Sequence, residues 1–121
     1  MSYTLAIDKE NGVIHLTYNG KVNLDIRKRA RDEVFQACDE HQLSHALVDM
    51  RLAQFEITET GAIEFAQGFK DPRIPPDYRL ACVVAPADTT DKIVEIIITL
   101  DHINVRYFYN IDEARQWLLA C

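Results

Sequence analysis

Apolar and polar residues alternate along Tyr3-Thr4-Leu5-Ala6-Ile7 and again along Val13-Ile14-His15-Leu16-Thr17-Tyr18. Alternation rich in β-branched and aromatic residues predicts two half-buried strands. Between them lies Asp8-Lys9-Glu10-Asn11-Gly12, whose Asn-Gly step is a tight-turn signal. The chain therefore opens on an antiparallel hairpin. From Leu24 to about His41 the period becomes helical, with Ile26, Ala30, Val34, Ala37 and Cys38 on one face and Asn23 or Asp25 as the cap. Lys28 with Asp32, and Arg29 with Glu33, stand at the spacing of ion pairs on the outer face of that helix.

The run Ala46-Leu47-Val48-Asp49-Met50 is apolar on both parities, as expected of a strand buried on both faces of a parallel sheet. Thr58 or Thr60 opens a second helix with Ala62, Ile63, Phe65, Ala66 and Phe69 as inner positions. A proline cluster, Asp71-Pro72-Arg73-Ile74-Pro75-Pro76, reads as a loop. Leu80 to Ala85 is the next buried strand. Thr89 or Thr90 then opens a third helix whose stripe is Ile93, Ile96, Ile97, Leu100 and Ile103. Val105 to Tyr109 is the last strand, and Asn110 with Glu113 forms a capping-box-like start for a helix from Ile111 to Leu119. The order ββαβαβαβα predicts an α/β fold. Its sheet is mixed and mostly parallel, with the antiparallel hairpin at its start, right-handed crossovers and about four helices.

Composition narrows the function classes. The 121 residues fit one domain spanning 1–121, and 48% of them are apolar, enough for a core without disulfides or metal. The net charge of −6 argues against broad electrostatic binding of nucleic acid. No apolar run approaches the ~18 residues of a membrane span. The start, MSYTLAIDKENG, has no basic region followed by an apolar stretch and does not read as a signal peptide. Cys38, Cys82 and Cys121 are odd in number and widely spaced. Together these features predict a soluble cytoplasmic protein with free thiols.

Three stretches resemble a known family. They are the hairpin with Tyr18-Asn19-Gly20-Lys21-Val22 entering the first helix, Leu47-Val48-Asp49-Met50-Arg51 before a helix start, and Arg106 to Leu118 with its Glu113-Ala114 and Trp117-Leu118. Across the whole chain the order resembles the STAS fold, and more narrowly the SpoIIAA-like family of small bacterial proteins. Antagonist members of that family carry a phosphorylatable serine before a glycine at the helix following the Asp-containing strand. The resemblance places Thr60, in Thr58-Glu59-Thr60-Gly61, at that position. The family's Asp-Ser-Ser-Gly is replaced here, and Glu59 sets a charge beside the acceptor. The resemblance implies a non-catalytic regulatory module acting through protein contacts, with a homodimer as one form.

The remaining candidates each have a bland and a chemical reading. Asp49 and Arg51 stand where an inner strand ends, the place where open α/β sheets bind ligands. Arg51 would hold an anion there, or else Asp49 braces a loop and Arg51 lies in solvent. Thr58 and Thr60 are natural helix caps and candidate phosphoacceptors. Phe65 and Phe69 pack in the core, or line a groove for a small apolar or amphipathic, lipid-like ligand, with the Phe69 to Pro76 loop as a lid and Arg51 anchoring an anionic head. Arg27-Lys28-Arg29-Ala30-Arg31 reads as a solvated helix face, or else touches a partner or an anionic surface. Trp117 docks the last helix on the sheet, or forms a dimer surface. The four histidines, including His15 and His102, fall at no metal-ligand spacing, and no cofactor is implied. His15 is expected to be hydrogen-bonded or exposed. No serine or cysteine has the setting of a nucleophile.

Overall fold

The computed structural model describes residues 2–56, 58–85, 95–97, 99 and 103–120. Thr89, Thr90, Ile93, Leu100, His102 and Cys121 lie outside the described residues. The elements are β1 (Tyr3–Asp8), β2 (Val13–Asn23), α1 (Leu24–His41), β3 (His45–Glu56), α2 (Glu59–Gln67) and β4 (Arg79–Val83), a third helix, α3, described at residues 95–97 and 99, then β5 (Asn104–Phe108) and α4 (Ile111–Leu119). The order is the one the hydrophobic pattern predicts. One five-stranded sheet runs β1-β2-β3-β4-β5, antiparallel between β1 and β2 and parallel elsewhere.

The local signals are visible as atoms. Asn23 Oδ1 accepts the Ile26 N–H at 2.9 Å, and Asn110 Oδ1 accepts those of Asp112 and Glu113 at 2.7 and 3.2 Å. Each bond satisfies an N–H that the first helical turn leaves open. The hairpin loop is wider than a two-residue Asn-Gly turn. Asp8 pairs with Val13 across four loop residues, Gly12 alone takes positive φ (68°), and the Asp8 carboxylate accepts both the backbone and side-chain N–H of Asn11.

Two strands run longer than their alternation suggests. Thr17 pairs with Asp49 but Asn19 with Leu52, so Met50 and Arg51 both stand opposite Tyr18. This β-bulge shifts the parity of β3 and carries both strands on to Asn23 and Glu56. Beyond it Val22 is buried, and Ala53 and Phe55 pack on the core, although they break the alternation of the residues before.

The sheet separates two cores. On one face Ile14, Leu16 and Tyr18 of β2, Ala46, Val48 and Met50 of β3, and Leu80 and Cys82 of β4 meet α1 and α2. Ile97 and Ile103 pack on the same cluster. On the other face Val13, Leu47, Ala81 and Val83 meet Ala114 and Leu118 of α4, with Phe108, Ile111 and Trp117 around them. Trp117 docks α4: its ring lies 5.9 Å from that of Phe108, and the Arg79 guanidinium sits 5.5 Å above it. Arg79 also donates to the carbonyls of Trp117 and Ala120 at the helix end. Of the inner positions expected on α2, Ile63 is exposed and the other described ones are buried. Cys38 and Cys82 are both buried, and burial pushes the Cys38 thiol up to about 11. No described helix is long and apolar enough to cross a membrane.

Candidate functional site

The strand-end and helix-start candidates fall at two separate places. Asp49 and Arg51, expected at a strand end, lie inside β3 at its bulge because the strand runs on to Glu56, whereas Thr58 and Thr60 lie at the start of α2. Thr58 is the N-cap of α2, and its Oγ1 accepts the Gly61 N–H at 3.0 Å. That hydroxyl is committed to the cap. Thr58, Glu59 and Thr60 are all exposed, and Thr60 lies in the first turn, outside the capping bond. Positive potential from the open N–H groups of that turn favours an anion there, while the Glu59 charge opposes one.

Asp49 and Arg51 form a closed local unit. Arg51 donates from Nε and Nη2 to the two Asp49 carboxylate oxygens at 3.0 and 2.9 Å, and from its backbone N–H to Oδ1 at 3.1 Å. Asp49 thus braces the bulge inside β3 as an Asx-type turn, where the bland reading expected a braced loop and Arg51 in solvent. The hydrogen bond from Arg51 is the main cause holding the Asp49 carboxyl below its usual range. Because the folded value is depressed, the stabilisation is present above the ordinary value of 3.8 and is lost as pH falls through it toward the lower folded value. Arg51 is 41% exposed, so solvent screening limits the pair to about 1 kcal/mol. Asp49→Asn is expected to lower thermal stability at pH 7 by that amount, and the gap to the wild type should close in melts at acidic pH. A gap that persists under full protonation would assign Asp49 a packing role instead.

Arg51 does not anchor a head group beside Phe65 and Phe69. Asp49 pairs in register with Thr17 and Val83, and Val83 belongs to the α4 core. Phe65 and Phe69 lie in the other core, across the sheet. The cations beside those rings come from α1. Arg27, only 4% exposed, places its guanidinium 4.3 Å from the Phe65 ring centre and 4.7 Å from that of Phe55. Arg31 lies 4.7 Å from Phe65 and 5.7 Å from Phe69, and donates from Nη1 to the Phe65 carbonyl. The basic cluster is therefore no solvated face: two of its arginines clamp α2 to α1. Lys28 pairs across to Glu64 on α2 and Asp32 with Arg73, in place of the expected Lys28–Asp32 pair.

The loop after Phe69 is tied down. Arg73 donates to Asp71 from Nε and Nη2 at 3.0 and 2.8 Å and to Asp32 of α1 at 2.5 Å, with its guanidinium 5.9 Å from the Phe35 ring centre. A cleft of about 350 Å³ beside this loop is walled by Gln42, Ser44 and Arg73 among others. His15 differs from its expected setting: its Nε2 is buried with no hydrogen-bond partner among the described residues, and burial first, then the Arg115 charge, hold its pKa down.

No family model and no curated protein matches the sequence. Solved structures do match by shape. The anti-sigma factor antagonist SpoIIAA in its unphosphorylated form superposes with a TM-score of 0.65 at 10% identity, covering 98% of this chain and 99% of that one. An uncharacterised DUF3478 protein with a SpoIIAA-like fold, from Shewanella loihica PV-4, gives 0.64 at 13% identity over 97% and 93%. An anti-sigma factor antagonist from Mycobacterium paratuberculosis gives 0.63 at 13% identity over 97% and 94%. The five-stranded sheet, its hairpin start and its helices are thus those of the SpoIIAA-like, STAS-type fold.

Proposed function

We propose that this chain is a non-catalytic regulatory module that acts by protein contact, and that the exposed start of α2 is its contact surface. The observation that carries the reading is the arrangement Thr58-Glu59-Thr60. It is exposed at the first turn of the helix that follows β3, in a fold shared with two anti-sigma factor antagonists. Thr58 holds the helix start in place, and Thr60 offers the hydroxyl that the cap does not use. A negative group on Thr60 would sit on the helix N-terminus without breaking the fold and would change the charge a partner meets.

The test is capture of partners from native lysate with the wild type, Thr60→Glu and Thr60→Val, followed by affinity measurement on the captured protein. We expect a partner that binds the wild type and Thr60→Val alike and binds Thr60→Glu at least about tenfold more weakly. No partner at physiological concentration, or equal binding by all three chains, would overturn the reading.

A further inference from the structure

The α1–α2 core has a gap in its packing. A cavity of about 40 Å³ lies between the two helices and the sheet, with Met50, Phe65, Phe69 and Tyr78 in its wall together with Arg27 and Arg31. Its surface is mostly carbon. Two like charges therefore reach one apolar cavity, both over the ring of Phe65. Burial and the nearby Arg27 charge both press Arg31 toward its neutral form. The carboxylates that act on Arg31, Asp32 and Asp71, are each bound to Arg73.

We propose that this cavity binds a small organic monoanion, a short-chain carboxylate, with its charged end on the arginines and its alkyl end on the rings. Guanidinium groups present planar forked donors that match a carboxylate. An apolar wall favours an alkyl group over water and disfavours a fully hydrated dianion such as phosphate. Size sets the class: one water occupies roughly 10–15 Å³ of such a space, so 40 Å³ admits about three or four heavy atoms. A lipid-like or drug-sized ligand needs about 300 Å³ or more.

Gly68 supplies a selective probe. A Cβ there would collide with the Arg31 guanidinium, while the glycine backbone is of ordinary conformation. Gly68→Ala therefore displaces the Arg31 head without straining the chain.

The experiment is NMR titration of the isolated chain, following the Met50 methyl, with acetate, propionate and butyrate at constant ionic strength. Acetamide and phosphate are the controls. We expect a saturable shift with acetate, whose four heavy atoms the cavity admits, a falling response along propionate and butyrate, little response to either control, and binding weakened about tenfold in both Gly68→Ala and Arg31→Met. Should Arg31→Met fail to fold, Gly68→Ala alone decides. No saturable shift with acetate, an equal response to acetamide, or unchanged affinity in Gly68→Ala would overturn the proposal. No protein partner enters this titration, so its failure leaves the contact surface on α2 untouched.

Discussion

Phe65→Ala is expected to destabilise the protein by about 3–5 kcal/mol, the usual cost of emptying an aromatic site in a core. The site is buried, and its ring stands edge-on to Phe69 at 5.6 Å between centres. It also carries the two guanidinium groups of Arg27 and Arg31. Alanine removes the packing volume and leaves both cations facing a larger apolar hole. Against a typical total stability of about 5–15 kcal/mol, that loss moves the denaturation midpoint far. Phe65→Leu keeps most of the apolar volume but not the ring face, so its cost, read by the same denaturant titration, should fall between wild type and alanine. A cost below about 1 kcal/mol for Phe65→Ala would mean that α2 is not held through this ring.

Leu118→Ala is expected to cost about 2–5 kcal/mol and to loosen α4 before the rest of the fold. Among the described residues the second core is thin: besides Leu118 its buried members are Val13, Leu47, Ala81, Val83 and Ala114. With nine residues, α4 is shorter than the ~12–15 that hold an isolated helix in water, so docking supplies its stability. Leu118 is completely buried and is the larger of the two fully buried side chains, with Ala114, that α4 gives to that core. Trp117 reports the outcome directly. Its emission should shift toward that of exposed indole at a lower denaturant concentration than the loss of far-ultraviolet circular dichroism. Coincident transitions would show that α4 and the sheet unfold as one unit.

The elements were legible in the sequence because period, caps and turns agree along most of the chain. Asn23, Thr58 and Asn110 are caps by residue type and caps by hydrogen bond. The far end of β3 was hidden by the bulge at Met50 and Arg51, and that of β2 by its polar run Asn19-Gly20-Lys21. One added residue reverses the parity by which inward and outward positions are recognised. The α1–α2 clamp was hidden by chemistry rather than by pattern. Arg27, Ala30, Arg31 and Val34 fall at the spacing of a single helical stripe, so their positions already marked the arginines as inward-facing. Reading residue type alone assigned them to solvent, because buried arginine is uncommon without aromatic or anionic partners. Those partners, Phe55, Phe65 and Phe69, come from β3, α2 and the residues just beyond it, and only the fold brings them together.

Asp49 and Arg51, expected at a strand end and found inside β3, show the same divide. Asp49 and Arg51 are two apart, and that spacing alone allows their side chains to meet. Whether Arg51 reaches Asp49 or a ligand depends on the bulge, which turns its backbone N–H as well as its guanidinium onto the carboxylate. No single-residue preference encodes that geometry. The expectation that Arg51 and the phenylalanines share one site failed for a topological reason, since the sheet lies between them.

The central claim is that partners engage the first turn of α2 at the end of β3. Amide hydrogen exchange of the chain, free and bound to its captured partner, tests it most directly. Protection should rise at Glu59 to Ala62, where the Gly61 N–H is bonded to the Thr58 hydroxyl and the Ala62 N–H to the Thr58 carbonyl, and at neighbouring residues of β3. Protection confined to α4 or to β1, with the start of α2 unchanged, would contradict the account.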